Sequence, residues 1–219
     1  VSRLTISCQA VLFDLDGVLV DSRAVVERTW ERWAKRHSIA ATDIIAKAHG
    51  RRSIETVREI APELDATAEV RWLEAAELND EEGLVALPGA EAALSALSDR
   101  ARAVVTSGGH ALAALRMRAA GLAMPSVIVA AEDVVQGKPA PEGYLLAAAR
   151  LRVSPADCVV IEDTPAGIAA GLNAGASVIA LSTTFPASDL RAAGVTVPSL
   201  EALRIVVENT CLRIDVLRA

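Results

Sequence analysis

No apolar run in this chain of 219 residues approaches the ~18–20 residues that cross a bilayer, so no membrane span is expected. Basic charge is in deficit, with 22 Lys plus Arg against 28 Asp plus Glu and a formal charge of −6. That balance argues against a non-specific nucleic-acid binder, because a phosphate backbone requires a basic surface. Cysteine is scarce too. Cys8, Cys158 and Cys211 are odd in number, widely spaced and outside any CxxC or metal-ligand pattern, which excludes a disulfide framework. Three reduced thiols are expected, at least two of them buried in apolar strands. The opening VSRLTISCQAVLFDLDG lacks the apolar stretch and small-residue cleavage site of a signal peptide, so a cytoplasmic location is expected. Lysine is the rarest charged residue. Only Lys35, Lys47 and Lys138 occur, arginine serving elsewhere, so an isolated lysine invites a reason. What remains is an ordinary globular composition, 52% apolar and 23% charged, long enough for a core domain carrying a smaller inserted one.

Short apolar runs alternate with helical patterns along most of the chain. Residues 10–13, 101–105, 127–130, 158–161 and 177–181 are β-branched and almost uncharged, as strands buried on both faces should be. Segments 90–98, 111–120, 141–151 and 167–174 carry Ala and Leu at helical spacing. The alternation predicts right-handed βαβ units and an α/β fold with a doubly wound parallel sheet. Residues 22–85 break the rhythm. Helices are predicted over 25–36, 54–60 and 66–78, without a strand, and all three tryptophans (Trp30, Trp33, Trp72) fall here. The expectation is a core of 1–21 and 86–219 with a helical domain inserted at 22–85, returning through the Leu87-Pro88-Gly89 turn. No repeat or low-complexity segment is present. The end, 211–219, is compatible with a strand or a loose tail.

Ligands of an open parallel sheet bind beyond the carboxyl ends of its strands. The residues there are Asp14 and Asp16, then Thr106-Ser107-Gly108-Gly109, then Lys138, then Glu162-Asp163. Singly, each carboxylate is most simply a turn former or helix N-cap. Four converging carboxylates repel one another unless a cation neutralises them. Oxygen ligands with no His or Cys alongside suit Mg²⁺. Lys138 adds fixed positive charge, and Thr106 with the amides of Ser107 to Gly109 can donate to an anion. Together these describe a phosphoryl-transfer site. Asp14 and Asp16, two residues apart, can share one side of an extended turn, one as nucleophile and the other as proton donor.

FDLDGVLVDS at 13–22 resembles the first motif of the haloacid dehalogenase superfamily of phosphohydrolases. VVTSG at 104–108 resembles the second, QGKPAPEGY at 136–144 the third and VIEDTPAGIAAG at 160–171 the fourth, in the family's order and over nearly the whole chain. The resemblance implies that Asp14 becomes an aspartyl-phosphate and that Asp16 is the general acid and then the base. It further implies that Thr106 binds a phosphoryl oxygen and that Lys138 steadies both the phosphoryl group and Asp14. Mg²⁺ would be held by Asp14, Asp163 and the backbone carbonyl of Asp16, with Glu162 beside or within the metal shell. The insertion matches the small helical cap of subfamily I.

Within that family, dehalogenases lack a carboxylate at the position of Asp16, since a halide leaves without a proton. Phosphonoacetaldehyde hydrolases use a cap lysine, and neither Lys35 nor Lys47 sits in a matching setting. β-Phosphoglucomutases share DGVLVDS but carry a hinge histidine where this chain reads Val25-Val26-Glu27, so hydrolysis is favoured over phosphoryl transfer between sugar positions. The segment Ala48-His49-Gly50-Arg51-Arg52-Ser53, with the motifs around it, looks most like the glycerol-3-phosphate and 2-deoxyglucose-6-phosphate phosphatases. It implies a small sugar or polyol phosphate, touched by His49, Arg51 and Arg52 from the cap and by Ser107 and Gly108 from the core. The plain alternative for Arg52 is an ion pair with Glu55. Gly109-His110 departs from the relatives' usual Thr-Arg, and His110 is expected to be exposed in the first turn of its helix. From a different class, a binding protein could keep the fold without turnover; against it stands the full set of carboxylates plus Lys138. The expected partner is a small phosphate ester, with no nucleic acid or membrane, and a monomer is the default.

Overall fold

The computed structural model describes residues 4–208 and 211–217. Strands β1 (Leu4–Cys8), β2 (Ala10–Phe13) and β3 (Val20–Asp21) lead into helices α1 (Arg23–His37), α2 (Ala41–Ala48), α3 (Ser53–Ile60) and α4 (Ala66–Leu78). Then follow β4 (Val85–Ala86), α5 (Ala90–Ser95), β5 (Arg102–Val105), α6 (His110–Ala119), β6 (Ile128–Val129) and α7 (Glu142–Leu151). The chain continues through β7 (Cys158–Glu162), α8 (Pro165–Asn173), β8 (Ser177–Leu181), β9 (Val195–Val197), β10 (Leu203–Glu208) and β11 (Cys211–Val216).

All five apolar runs are strands of one six-stranded sheet in the order β6-β5-β2-β7-β8-β9. Its pairings are parallel throughout, so the expected α/β parallel-sheet architecture is what forms. Period-2 alternation divides the core between the two faces. Val11, Phe13, Val104, Val159 and Ile161 join one buried cluster. Ala10, Leu12, Ala103, Val105 and Val160 join the other. Helix α8 starts where Thr164 accepts from the Gly167 N–H at 3.1 Å and Pro165 follows, a cap-plus-proline start.

Helices α1 to α4 bury their own cluster around Trp30, Trp33, Ile44, Val57 and Leu73. A tryptophan buried like Trp33 costs about 3–5 kcal/mol to truncate to alanine. Its indole N–H donates to Glu69 at 2.8 Å, satisfying the one polar atom it takes into the interior. Both connections to this group run through one antiparallel ribbon, Val20↔Ala86 and Asp21↔Val85.

Helix α2 and strands β1, β3, β4, β9 and β10 lie outside the elements expected from the sequence, and the open end of the chain resolves. Helix α2 is short, eight residues, and Ala40 at its start supplies no side-chain cap. At the end of the chain, β11 is a strand, pairing antiparallel with both β1 and β10; residues 218–219 of the ambiguous segment lie outside those described. These three strands mix polar with apolar residues and exposed with buried ones, unlike the continuous apolar runs of the main sheet. Cys8 and Cys158 are buried in strands and Cys211 is exposed, all unpaired. Burial pushes the Cys8 thiol up to about 12 and the Cys158 thiol up to about 11. Among the described residues, no helix is long and apolar enough to cross a membrane.

Candidate active site

Strand β2 lies between β5 and β7, so whatever follows these three strands must meet at one edge. Asp14 follows β2, its N–H bonded to the Ile161 carbonyl at 3.0 Å. Thr106 follows β5, bonded likewise to the Val129 carbonyl at 2.9 Å. Glu162 ends β7, Asp163 comes next, and Lys138 reaches in from the loop between β6 and α7.

Lys138 is buried, and its ammonium donates to Asp14 Oδ1 at 2.5 Å, Glu162 Oε1 at 2.6 Å and the Val105 carbonyl at 3.4 Å. Desolvation opposes its charge, but the two carboxylates outweigh it and hold the ammonium above the usual lysine range. Glu162 is fully enclosed by donors. Oε1 also takes the Tyr144 hydroxyl at 2.9 Å, while Oε2 takes the N–H groups of Asp163 and Thr164 and the Thr164 hydroxyl. A side chain at Gly167 would place its Cβ 1.7 Å from Glu162 Oε1, so this packing requires the glycine.

Asp163 is the opposite case: both carboxylate oxygens are buried without a hydrogen-bond partner. Burial, then Glu162 and Asp14, push its carboxyl well above the ordinary range, with the nearby Thr184 hydroxyl and Lys138 offsetting only part. Ligand oxygens of Asp14, Glu162 and Asp163 lie within 4.8 Å of one another. Orphaned buried carboxylate oxygens with no soft donors fit a hard divalent cation of the Mg²⁺ type. Of the three, Asp163 has the most coordination capacity left and Glu162 the least.

Gly17 guards this arrangement, with φ +82° and a Cβ position 1.9 Å from Asp163 Oδ2. Gly17→Ala therefore combines left-handed strain with a clash. A loss of about 1–3 kcal/mol or more is expected, read as a lower urea midpoint.

Asp16 sits one step outward, its side chain 29% exposed. Ser22 donates to Oδ1 at 2.6 Å, and Oδ2 receives Arg116 Nη1 at 2.7 Å and, more weakly, Thr106 Oγ1 at 3.4 Å. Thr106 Oγ1 also accepts from the Gly108 N–H at 3.1 Å. Asp14 and Asp16 open onto a cavity of about 480 Å³ between the strand ends and the inserted helices. Lys138 and Thr106 border a separate void of about 20 Å³.

His49, Arg51, Arg52, Ser107 and Gly108 all line the larger cavity. Ser107 Oγ donates to the Gly50 carbonyl at 3.1 Å, and Arg51 pairs with Glu59 at 2.7 Å. Burial pulls the His49 imidazole below its usual range, with Glu27 acting in the opposite direction. The plain alternative for Arg52 is present: it pairs with Glu55 at 2.7 Å. The same guanidinium donates to the Val134 and Val135 carbonyls at 3.1 and 2.9 Å, while Glu55 accepts from the Gly137 N–H at 3.1 Å. This clasp fastens α3 to the loop that carries Lys138. His110 begins α6, pairs with Asp133 at 2.8 Å, and its side chain is 47% exposed.

Sequence reasoning missed Arg116, Glu77 and Tyr144. Arg116 shares a face of α6 with buried Leu112 and Ala113; a charge inside an apolar stripe was the available signal. In a chain that uses arginine nearly everywhere, that signal was faint.

Residues 8–175 match the family described as haloacid dehalogenase-like hydrolase. The chain is 43% identical over 203 residues to hexitol phosphatase A of Escherichia coli (strain K12), covering 90% of this chain and 94% of that protein. It is 33% identical to glycerol-1-phosphate phosphohydrolase 2 of Saccharomyces cerevisiae, covering 92% and 86%. A hydrolase structure from Pseudomonas syringae superposes with a TM-score of 0.78 at 26% identity, covering 88% and 94%.

Proposed function

This chain belongs to the haloacid dehalogenase-like hydrolases, and on that footing we propose that it hydrolyses small sugar or polyol phosphate monoesters through an aspartyl-phosphate on Asp14. The observation that carries the reading is the placement of Asp14 and Asp16. Asp14 is pinned by Lys138 at 2.5 Å, Asp16 stands beside it, and both face one cavity of about 480 Å³. That volume suits a sugar- or polyol-sized ligand. The named activities of the similar proteins, on hexitol and glycerol phosphates, point to the same class.

In this reading residues 22–85 are the cap, resting on the core through the Arg52 clasp and the Ser107–Gly50 contact. Substrate enters with the cap lifted, and closure excludes bulk water. Asp14 attacks phosphorus in line. The P–O bond to the alcohol breaks as Asp16 gives its proton to the leaving oxygen. Asp16 then takes a proton from the water that attacks the aspartyl-phosphate, freeing phosphate and restoring Asp14. Lys138 holds Asp14 in line, and Thr106 with the Ser107 and Gly108 amides receives the phosphoryl oxygens. Mg²⁺, held by Asp14, Asp163 and the Asp16 carbonyl, would neutralise charge on the phosphoryl group. Glu162 anchors Lys138 and the start of α8 at the edge of that shell. The unpaired cysteines suit a reducing compartment, and the reading places the enzyme in the cytoplasm.

A panel of phosphate esters with Mg²⁺, run beside β-glucose-1-phosphate with a trace of its 1,6-bisphosphate, tests this. Phosphate release from hexitol, deoxyhexose or glycerol phosphates is expected. Accumulation of glucose-6-phosphate with little free phosphate would identify a mutase instead. Exhaustive chelation is expected to remove activity and Mg²⁺ to restore it; full activity after chelation would exclude the metal.

A further inference from the structure

Arg116 is the buried cation that this mechanism leaves without a task. It is 4% exposed and lies on α6, outside the four motifs. Its guanidinium is divided between two bodies of the molecule. Nη1 donates to Asp16 Oδ2 at 2.7 Å, while Nη2 donates to Glu77, near the end of α4 in the inserted helices. Glu77 is itself buried. Desolvation pushes its carboxyl up, the Arg116 charge pulling the other way.

The backbone makes room for this. A side chain at Gly108 would place its Cβ 3.3 Å from Arg116 Nη1, so the glycine of the Thr106-Ser107-Gly108 turn leaves the corridor through which the guanidinium reaches Asp16. Helix α4 packs on α6 along this line. A planar fork holding one carboxylate on each side fixes their separation and orientation in a way that a single ammonium could not.

Building on the function proposed above, we infer that Arg116 is a positioning residue that aligns the proton-transferring carboxylate of Asp16 and, through Glu77, makes that alignment conditional on the seated cap. When α4 lifts away, Arg116 loses its outer partner and Asp16 loses a fixed counterpart. When α4 returns, the guanidinium is stretched between the two carboxylates and Asp16 Oδ2 is held at one point at the mouth of the site. The proton donor is thereby set only when the cavity is closed, which suits an enzyme that must protonate an alkoxide and exclude stray water in the same moment.

The test uses a series of aryl phosphates of similar shape and rising leaving-group pKa, compared by kcat/KM, which reports the steps through departure of the alcohol. The parental enzyme is expected to show a shallow dependence, because Asp16 supplies the proton. Arg116→Ala is expected to steepen it, losing about 10–100-fold on phenyl phosphate, as misplacement of about 1 Å can cause, and less than about 3-fold on p-nitrophenyl phosphate. Arg116→Lys and Glu77→Gln, which leave less buried charge unpaired, are expected to steepen it in the same direction by less, and they carry the test if Arg116→Ala does not fold. In an Asp16→Asn background, Arg116→Ala should add nothing to the slope. Equal losses across the series in the folded variants, or an additive double variant, would overturn the positioning role while leaving the phosphatase reading in place. Absence of parental turnover on every ester would remove both.

Discussion

Asp14→Asn is expected to lower phosphate release by about 10⁴-fold or more, the scale seen when a covalent nucleophile is removed, with the fold intact. Asparagine keeps the side chain's shape, and Lys138 retains Glu162 at 2.6 Å. The substitution should also stabilise the metal-free protein. Burial pushes the Asp14 carboxyl up to about 8, Lys138 pulling it down while Glu162 and Asp16 push it further up. A carboxyl with a folded pKa above its unfolded value binds more protons when folded, so stability falls as pH rises through that window. With chelator present, Asp14→Asn should melt higher than the parent at pH 8, and the difference should fade toward pH 4. Steady-state phosphate release and melting curves across pH check both parts. Appreciable turnover by the variant would sink the nucleophile assignment.

Asp16→Ala is expected to cost about 10²–10⁴-fold on sugar and polyol phosphates, the range of general acid–base catalysis. The loss should be far smaller for esters whose alcohol departs without a proton. Asp16 is partly exposed and tied by Ser22 at 2.6 Å and Arg116 at 2.7 Å, not packed in the interior like Asp14 and Glu162. Its removal leaves the buried Arg116 guanidinium with Glu77 as its one carboxylate partner among the described residues, so the melting temperature is expected to fall as well, and Asp16→Asn, which keeps a side-chain oxygen for Arg116, is expected to fall less. Rapid-quench detection of acid-stable phosphate on the enzyme separates the two halves of the reaction, because without Asp16 the phosphoryl group should persist on Asp14. Parental rates on a hexitol phosphate would show that proton transfer runs through another group.

The legible parts of this molecule were those with one local cause. β8 has the bounds of its apolar run, and β5, β6 and β7 differ from theirs at the ends only, because strands buried on both faces show as unbroken apolar runs. Strand order then brought the motif carboxylates and Lys138 to one edge. The illegible parts depend on distant partners. Whether Glu162 has capacity left for a metal is decided by Tyr144 and the turn at Thr164, which no spacing rule weighs. Arg116 and Glu77 lie 39 residues apart and acquire meaning only once α4 rests on α6. The antiparallel strands β1, β10 and β11 were faint because polar or charged residues such as Thr5, Ser7, Arg204, Arg213 and Asp215 interrupt their apolar residues, leaving no unbroken apolar run.

The ribbon of β3 and β4 has a consequence for how such a protein can diversify. Asp14, Thr106 and Glu162 come from the ends of β2, β5 and β7 and Lys138 from the loop after β6, whereas His49, Arg51, Arg52, Ile54, Val70 and Glu74 on the opposite wall belong to one continuous stretch entered and left at Val20–Asp21 and Val85–Ala86. In the proposed reading, the preference for one alcohol over another is thus carried by one continuous cassette, apart from the residues that break the bond. In that reading, substitutions at Ile54 or Val70 can shift the accepted ester by the few kcal/mol that separate neighbouring substrates, while Arg52, which fastens the loop carrying Lys138, stays in place. Ser22 and Glu77 mark the limit of that freedom, because Ser22 bonds Asp16 directly and Glu77 reaches it through Arg116.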